Sequence, residues 1–292
     1  VSDLSPSETP AARQPRRAAF VLPSLFTAGN IFLGFLALLR TIQAAMAYST
    51  NPQLSAEQFA FAAKVIGISI LLDGLDGRVA RMTNTASAFG AELDSLADVI
   101  SFGIAPAVLA YFWGVHFVNT NSSPIAQEQL ENIGKFAAFL FLLCGSARLA
   151  RFNVQKNPQL KNPGRPNRKY FAGLAIPCGA GQLAAIVYFQ DGRPLETWTF
   201  SLAWLAVIGM VSFLMVSTWR YRSFKDLNLL HPRSPLTVIL LGSLIALIFY
   251  HSQPVLLILA STYTLSGVVV RIGGILRRLR SSSPVAPEHQ IG

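Results

Sequence analysis

Charge, cysteine and histidine are all scarce in this chain. Only 13% of its 292 residues are Asp, Glu, Lys or Arg, about half the ~25% of ordinary soluble domains, which excludes a conventional water-facing surface over most of the length. Its two cysteines, Cys144 and Cys178, both fall in apolar runs; they exclude a disulfide framework and a thiolate zinc site and read as small buried hydrophobes. The four histidines, His116, His231, His251 and His289, are scattered over connections and tail, so no histidine-based chemistry is expected. Acidic residues number 14 against 24 basic ones. No internal repeat is evident, and no apolar leader core precedes the first hydrophobic run.

What the chain has in abundance is apolar residues, at 52%. Eight runs approach the ~20 residues needed to cross a ~30 Å hydrocarbon core. They lie at 24–47, 57–80, 89–113, 133–152, 170–190, 198–219, 235–251 and 254–276. The expected fold is an all-α polytopic membrane protein of about eight transmembrane helices. Residues 1–22 read as a disordered basic N-terminal arm, 23–277 as the eight-helix membrane domain and 278–292 as a flexible C-terminal tail. Pro23 suits a helix start, where its missing amide hydrogen is not needed. Pro254 in the short "HSQPV" connection makes the last two runs an antiparallel hairpin.

Cations set the orientation. With loops counted alternately from an inside N-terminus, nineteen Lys and Arg residues fall on the inside, against Arg193 and Lys135 on the outside. That asymmetry places both termini in the cytoplasm. It also accounts for most of the formal charge of +10 without nucleic acid.

Against this background the stretch "LLDGLDGRVARMTNTASAFGAELDSLADVISFG" is anomalous, because it sets four aspartates into the second and third runs. Asp73 and Asp76 are three apart on one helix, with Gly77, Ala80 and Arg81 continuing along that face; Asp94 and Asp98 are four apart on the next, with Gly90 one turn earlier. The second run goes outward to inward and the third returns, so the four carboxylates can converge near the cytoplasmic side. Each ionised carboxylate in a membrane helix costs at least ~2.5 kcal/mol, and Arg78 and Arg81 are too few to neutralise four. Divalent metal is the simplest counter-charge, with magnesium, manganese or calcium suited to hard oxygen ligands. Four carboxylates suffice for two ions, an arrangement suited to displacement at phosphorus. The small residues Gly77, Ala80 and Gly90 either admit a flat ligand or pack helices closely.

"DGLDGRVAR", eight residues, then "GAELDSLAD" resembles the signature of the CDP-alcohol phosphotransferase family, D-x2-D-G-x2-A-R-x8-G-x3-D-x3-D, at all eight fixed positions. The resemblance implies transfer of a phosphoryl-containing group from a cytidine-diphosphate-linked donor to an alcohol, with release of CMP. It further implies Mg2+ or Mn2+ held by Asp73, Asp76 and Asp94, and Asp98 as general base, also within reach of metal. Gly77, Ala80 and Arg81 would line the nucleotide, with Gly90 beside them. A homodimer in a bacterial or archaeal cytoplasmic membrane, with its site facing the cytoplasm, is the corresponding expectation.

Flanking segments bear on donor and acceptor. "PSLFTAGNIFLGFLALL", "SFGIAPAVLAY", "ARLARFNV" and "YFAGLAIP" together resemble the branch of that family that uses CDP-diacylglycerol and L-serine. The chain departs from the branch at Ala175, where a second proline is common, and at Cys178 and Gly179, where alanines are common. Arg148 and Arg151, three apart, offer guanidinium forks for diphosphate or a serine carboxylate, or anchor the helix end as inside cations do. Thr27 and Asn30 lie at the depth of the acids, where they can hydrogen-bond to nucleotide or to a metal-bound carboxylate, or simply join a neighbouring helix. Glycerol phosphate, inositol, inositol phosphate and choline are alternative acceptors. A cation transporter is the more remote alternative, weakened by the absence of a matching acid pair elsewhere in the chain.

Overall fold

Among the described residues of the computed structural model, six helices are long and apolar enough to cross a membrane: Leu25–Ala47, Pro52–Val79, Phe89–His116, Ile125–Val154, Trp198–Val216 and Ser252–Gly273. The structure describes residues 17–82, 88–119, 124–156, 170–222 and 235–281. The helices in full are α1 (Arg17–Ala47), α2 (Pro52–Met82), α3 (Ala88–Asp98), α4 (Ala105–Tyr111), α5 (Pro124–Lys156), α6 (Ile176–Phe189), α7 (Trp198–Val216), α8 (Pro235–Tyr250) and α9 (Ser252–Ser281). A π-helical segment, Val99–Ile104, joins α3 to α4, and a second, Phe112–His116, prolongs α4. Two three-residue strands, β1 (Tyr170–Ala172) and β2 (Arg220–Arg222), pair antiparallel with Phe171 opposite Tyr221.

The helical class expected from the sequence is present; among the described residues six of the eight expected spans reach crossing length, and several bounds differ. Two of the eight expected spans are short: α6 has 14 residues and α8 has 16, roughly 21 and 24 Å at 1.5 Å per residue, less than a ~30 Å core. The fifth run was expected from residue 170, yet residues 170–172 form β1 and the helix starts at Ile176. Gly173 explains the break. Its φ of 80° lies in the left-handed region, and a side chain there would meet the Ser217 carbonyl oxygen at 2.9 Å. Pro177 then stands in the first turn of α6, where no amide donor is required. A hydropathy window weighs none of this. At the ends, α1 takes in residues 17–22 from the expected arm and runs through Pro23, and α9 continues to Ser281, past the expected limit at 277. Between α8 and α9 the backbone bends at His251, with Pro254 in the opening turn of α9.

Polar pairs spaced along the bundle set the helix registers. Ser55 Oγ donates to the Ala44 carbonyl (2.8 Å) and Arg40 Nη1 to Gln58 Oε1 (3.0 Å), clamping the far ends of α1 and α2. Pairs of this kind are worth about 0.6–2 kcal/mol in an apolar medium. The π-helical turns widen the backbone ladder and free carbonyls that other helices then satisfy. Trp204 Nε1 donates to Ala110 O (2.9 Å) and Ser201 Oγ to Gly114 O (2.7 Å), while the Trp113 and Trp204 rings meet edge to face at 5.0 Å. Phe59, Phe102, Trp113, Phe141 and Leu214 fill the interior. Large apolar side chains also face outward, up to Phe249 at 83% exposure, the inside-out pattern of a lipid-facing surface.

Candidate metal centre and active site

The acids gather where α2 ends and α3 begins. One carboxylate oxygen each from Asp73, Asp94 and Asp98 lies within 4.8 Å of the others, with Asp98 buried and the other two half-buried. The spacing of four in Asp94 and Asp98 puts both on one face of α3, and the antiparallel run of α2 brings Asp73 opposite. Three anionic oxygens so close repel by about 3.5 kcal/mol per pair at an effective dielectric of 20, and Asp73 is further repelled by Asp76. The set is all hard oxygen, the donor chemistry that Mg2+, Mn2+ or Ca2+ takes. It fits such an ion.

Asp76 is not one of the three. Its buried carboxylate turns towards α1, where Thr27 Oγ1 donates to Oδ2 at 2.6 Å. Thr27 is thereby bonded to a carboxylate of the neighbouring helix. Asn30 joins helices: Ser69 Oγ of α2 donates to its side-chain oxygen, and Ser101 Oγ of the first π-helical segment donates to its backbone carbonyl at 2.8 Å. One residue of α1 thus ties α2 to the helix that carries Asp94 and Asp98.

Gly77 borders open space, with no heavy atom within 4 Å of where a side chain would begin. Among the described residues, α2 therefore has room for a side chain at that position. Ala80 and Arg81 continue α2, but their side chains lie outside what the structure describes. Gly90 sits in the first turn of α3.

The two arginines of α5 part company. Arg151 donates through Nη1 to Val216 O (3.2 Å) and Nη2 to Ser217 O (3.3 Å), capping the end of α7, where carbonyls have no helical partner. Arg148 is half-buried, 5.6 Å from the Phe152 ring centroid, and feels the charge of Asp98. Of the pair, Arg148 belongs to the acid cluster's surroundings.

Sequence reasoning passed over several supporting contacts. Asn153 Nδ2 of α5 donates to Ser95 Oγ (2.8 Å), beside Asp94, and Ser95 in turn donates to Ala91 O (2.9 Å). Gly34 of α1 lies so close to Ser101 that a side chain there would come within 2.8 Å of the Ser101 Cα. A small residue one turn from Asn30 was the available signal for that approach.

Fold and site together define a helical membrane protein with a carboxylate cluster suited to divalent metal. The sequence matches the CDP-alcohol phosphatidyltransferase family over residues 20–208, and the chain belongs to that family. It is 35% identical over 215 residues to a CDP-diacylglycerol–serine O-phosphatidyltransferase of Helicobacter pylori, covering 73% of this chain and 77% of that one. Proteins of the same name from Bacillus subtilis (32% over 204 residues, 70% and 91%) and Methanocaldococcus jannaschii (36% over 162 residues, 56% and 64%) are also similar.

Proposed function

We propose that the chain transfers the phosphatidyl group of CDP-diacylglycerol to L-serine, giving phosphatidylserine and CMP. The observation that carries this reading is the Asp73, Asp94 and Asp98 cluster in a chain of this family whose similar relatives bear that activity in their names. Asp73, Asp94 and Asp98, with Asp76 alongside, would hold Mg2+ or Mn2+, as two ions. Bound there, the metal would neutralise charge on the diphosphate oxygens and the departing CMP.

The chain's own residues supply the rest. Thr27 fixes the Asp76 carboxylate, and Gly77, Ala80, Arg81 and Gly90 leave room and charge for the cytidine diphosphate. Asp98 takes the proton of the serine hydroxyl as that oxygen attacks the β-phosphorus of the donor, the one bonded to diacylglycerol. The phosphorus–oxygen bond to CMP breaks, CMP leaves with the electron pair, and the phosphorus inverts. Arg148 receives the serine carboxylate, for which a planar guanidinium is suited.

The positive-inside asymmetry supports a site open to the cytoplasm of a bacterial or archaeal membrane, with both termini on that side. In this reading α6 and α8 complete eight crossings and the enzyme is a homodimer; the rest of the expected arm, 1–16, and of the expected tail, 282–292, lies outside the described residues. The deciding experiment incubates purified protein with CDP-diacylglycerol, Mn2+ or Mg2+ and, separately, serine, glycerol phosphate, inositol, inositol phosphate and choline. CMP and phosphatidylserine should form with serine; CMP release with another alcohol and not with serine would overturn the assignment.

A further inference from the structure

Two of the three clustered acids have an α1 contact one turn behind them on their own helix. Ser69, four residues before Asp73, donates to the Asn30 side-chain oxygen, and Ser101, three residues after Asp98, donates to the Asn30 carbonyl. Asp94 lies a turn further out, towards the start of α3 at Ala88. That turn presents Ala91, Glu92 and Leu96 outward, so three of its residues add little packing. A side chain of α5 reaches it instead.

Asn153 Nδ2 donates to Ser95 Oγ at 2.8 Å, and Ser95 Oγ donates to the Ala91 carbonyl at 2.9 Å. A serine hydroxyl has one hydrogen and two lone pairs. With its hydrogen directed to its own helix, Ser95 can only accept from α5, and the amide of Asn153 is a donor. Ser95 is the chain neighbour of Asp94, with consecutive Cα atoms fixed about 3.8 Å apart. It also stands three residues before Asp98, the spacing that shares a helix face. A shift of Ser95 is therefore carried into both α3 carboxylates, while Asp73 on α2 stays behind. The three carboxylate oxygens lie within 4.8 Å of one another, and a bound cation tolerates errors of only about 0.2 Å in its ligand distances.

The stability of the bundle is set elsewhere. Trp204 of α7 is bonded to Ala110 O, and the buried Tyr221 ring of β2 fills the space beside Gly267 of α9, 5.7 Å from the Tyr263 ring, with its hydroxyl donating to Thr264 O at 3.1 Å. Asn153 itself is half-buried, and asparagine is a poorer helix former than alanine. Helix propensity does not account for its place in α5.

We propose that Asn153 is a positioning residue for the metal centre: through Ser95 it fixes the opening turns of α3, and so the placing of Asp94 and Asp98 against Asp73 that a divalent cation requires. This rests on the acids being the metal site. The helix end that caps α7 through Arg151 thereby sets metal affinity through Asn153.

The test measures Mn2+ binding to the purified full chain in detergent micelles, without substrates, from the electron paramagnetic resonance signal of the free ion. Asn153→Ala and Ser95→Ala should each raise the Kd for Mn2+ about fivefold, the worth of one neutral hydrogen bond. The double variant should raise it no further, since the two side chains act through one contact. Ser95→Thr keeps the hydroxyl at a half-exposed position and should stay within about twofold, below the worth of that bond. The metal-free thermal midpoint of Asn153→Ala should stay near wild type. Unchanged Mn2+ affinity in Asn153→Ala overturns the proposal, as does an additive double variant. A raised Kd accompanied by a lowered metal-free midpoint would reduce the contact to general packing and overturn it too. Wild-type protein that binds no Mn2+, or an Asp73→Asn protein that binds it as tightly as wild type, would remove the metal site first, and this inference with it.

Discussion

Replacing Gly34 by alanine tests whether the crossing of α1 against the first π-helical turn sets the position of Asp98. A methyl group at Gly34 would begin 2.5 Å from Ser101 Oγ, 2.8 Å from its Cα and 3.0 Å from its Cβ. Carbon atoms settle at about 3.5–4.0 Å, so the Ser101 backbone must retreat by roughly 0.7–1 Å. The hydrogen bond from Ser101 Oγ to Asn30 O, 2.8 Å long, would then stretch past the length at which it holds. Asp98 lies three residues earlier on the same rod and must shift with it. Overpacking of this kind costs about 1–3 kcal/mol of stability, while a misplacement near 1 Å at a reacting group can cost ~100-fold in rate. The expected result is therefore a kcat lowered by about 10–100-fold with CDP-diacylglycerol binding retained, read as CMP release at saturating metal and serine. Adding Ser101→Gly relieves the Oγ and Cβ contacts, though not the one to Cα, and should restore part of the rate. Gly209→Ala is the control, because nothing lies within 4 Å of the added carbon and alanine favours the helix by about 1 kcal/mol. A folded Gly34→Ala protein with kcat equal to wild type would refute the reasoning.

Three further outcomes are expected. Asp73→Asn and Asp94→Asn should each abolish CMP release, as should excess chelator on the wild type, since a neutral amide is a poorer ligand for a hard cation; full turnover in chelator would sink the metal assignment. Asp98→Asn should bind CDP-diacylglycerol yet lose most of its turnover, and a chirally labelled donor should give inversion at phosphorus in the wild type, with net retention pointing to a covalent phosphatidyl-enzyme instead. Arg151→Ala should leave the serine KM near wild type but lower the thermal midpoint, because two hydrogen bonds to the end of α7 are worth about 1–3 kcal/mol together; a rise in serine KM at unchanged stability would return Arg151 to the substrate.

The acid cluster was legible because carboxylates in apolar helices have no bland explanation, and their spacing of three and four fixes a shared face whatever the rest of the chain does. Thr27 and Asn30 were legible as polar residues at the right depth, but not as to which partner each would take, since that depends on the rotation of α2 about α1. The strand start at Tyr170 was hidden from a hydropathy scan, which averages over the left-handed Gly173. The first π-helical segment was invisible, because nothing in "VISFGI" marks the wider turn; in it Ser101 and Gly103 lie close against α1 and α5. Arg148 and Arg151 looked alike in sequence, and only the end of α7 separates them.

The Tyr221 contact with Gly267 also has a bearing on how the protein is made. Tyr221 reaches its buried place only against a helix that leaves the ribosome after it, and Tyr263 follows Asp94 by roughly 170 residues. At about 5–20 residues per second the carboxylates are in the membrane for some 8–34 s before α9 arrives. For that interval Thr27 already serves Asp76 while Tyr221 still lacks the helix that buries it, so the acid-bearing helices come together before the far end of the bundle is closed.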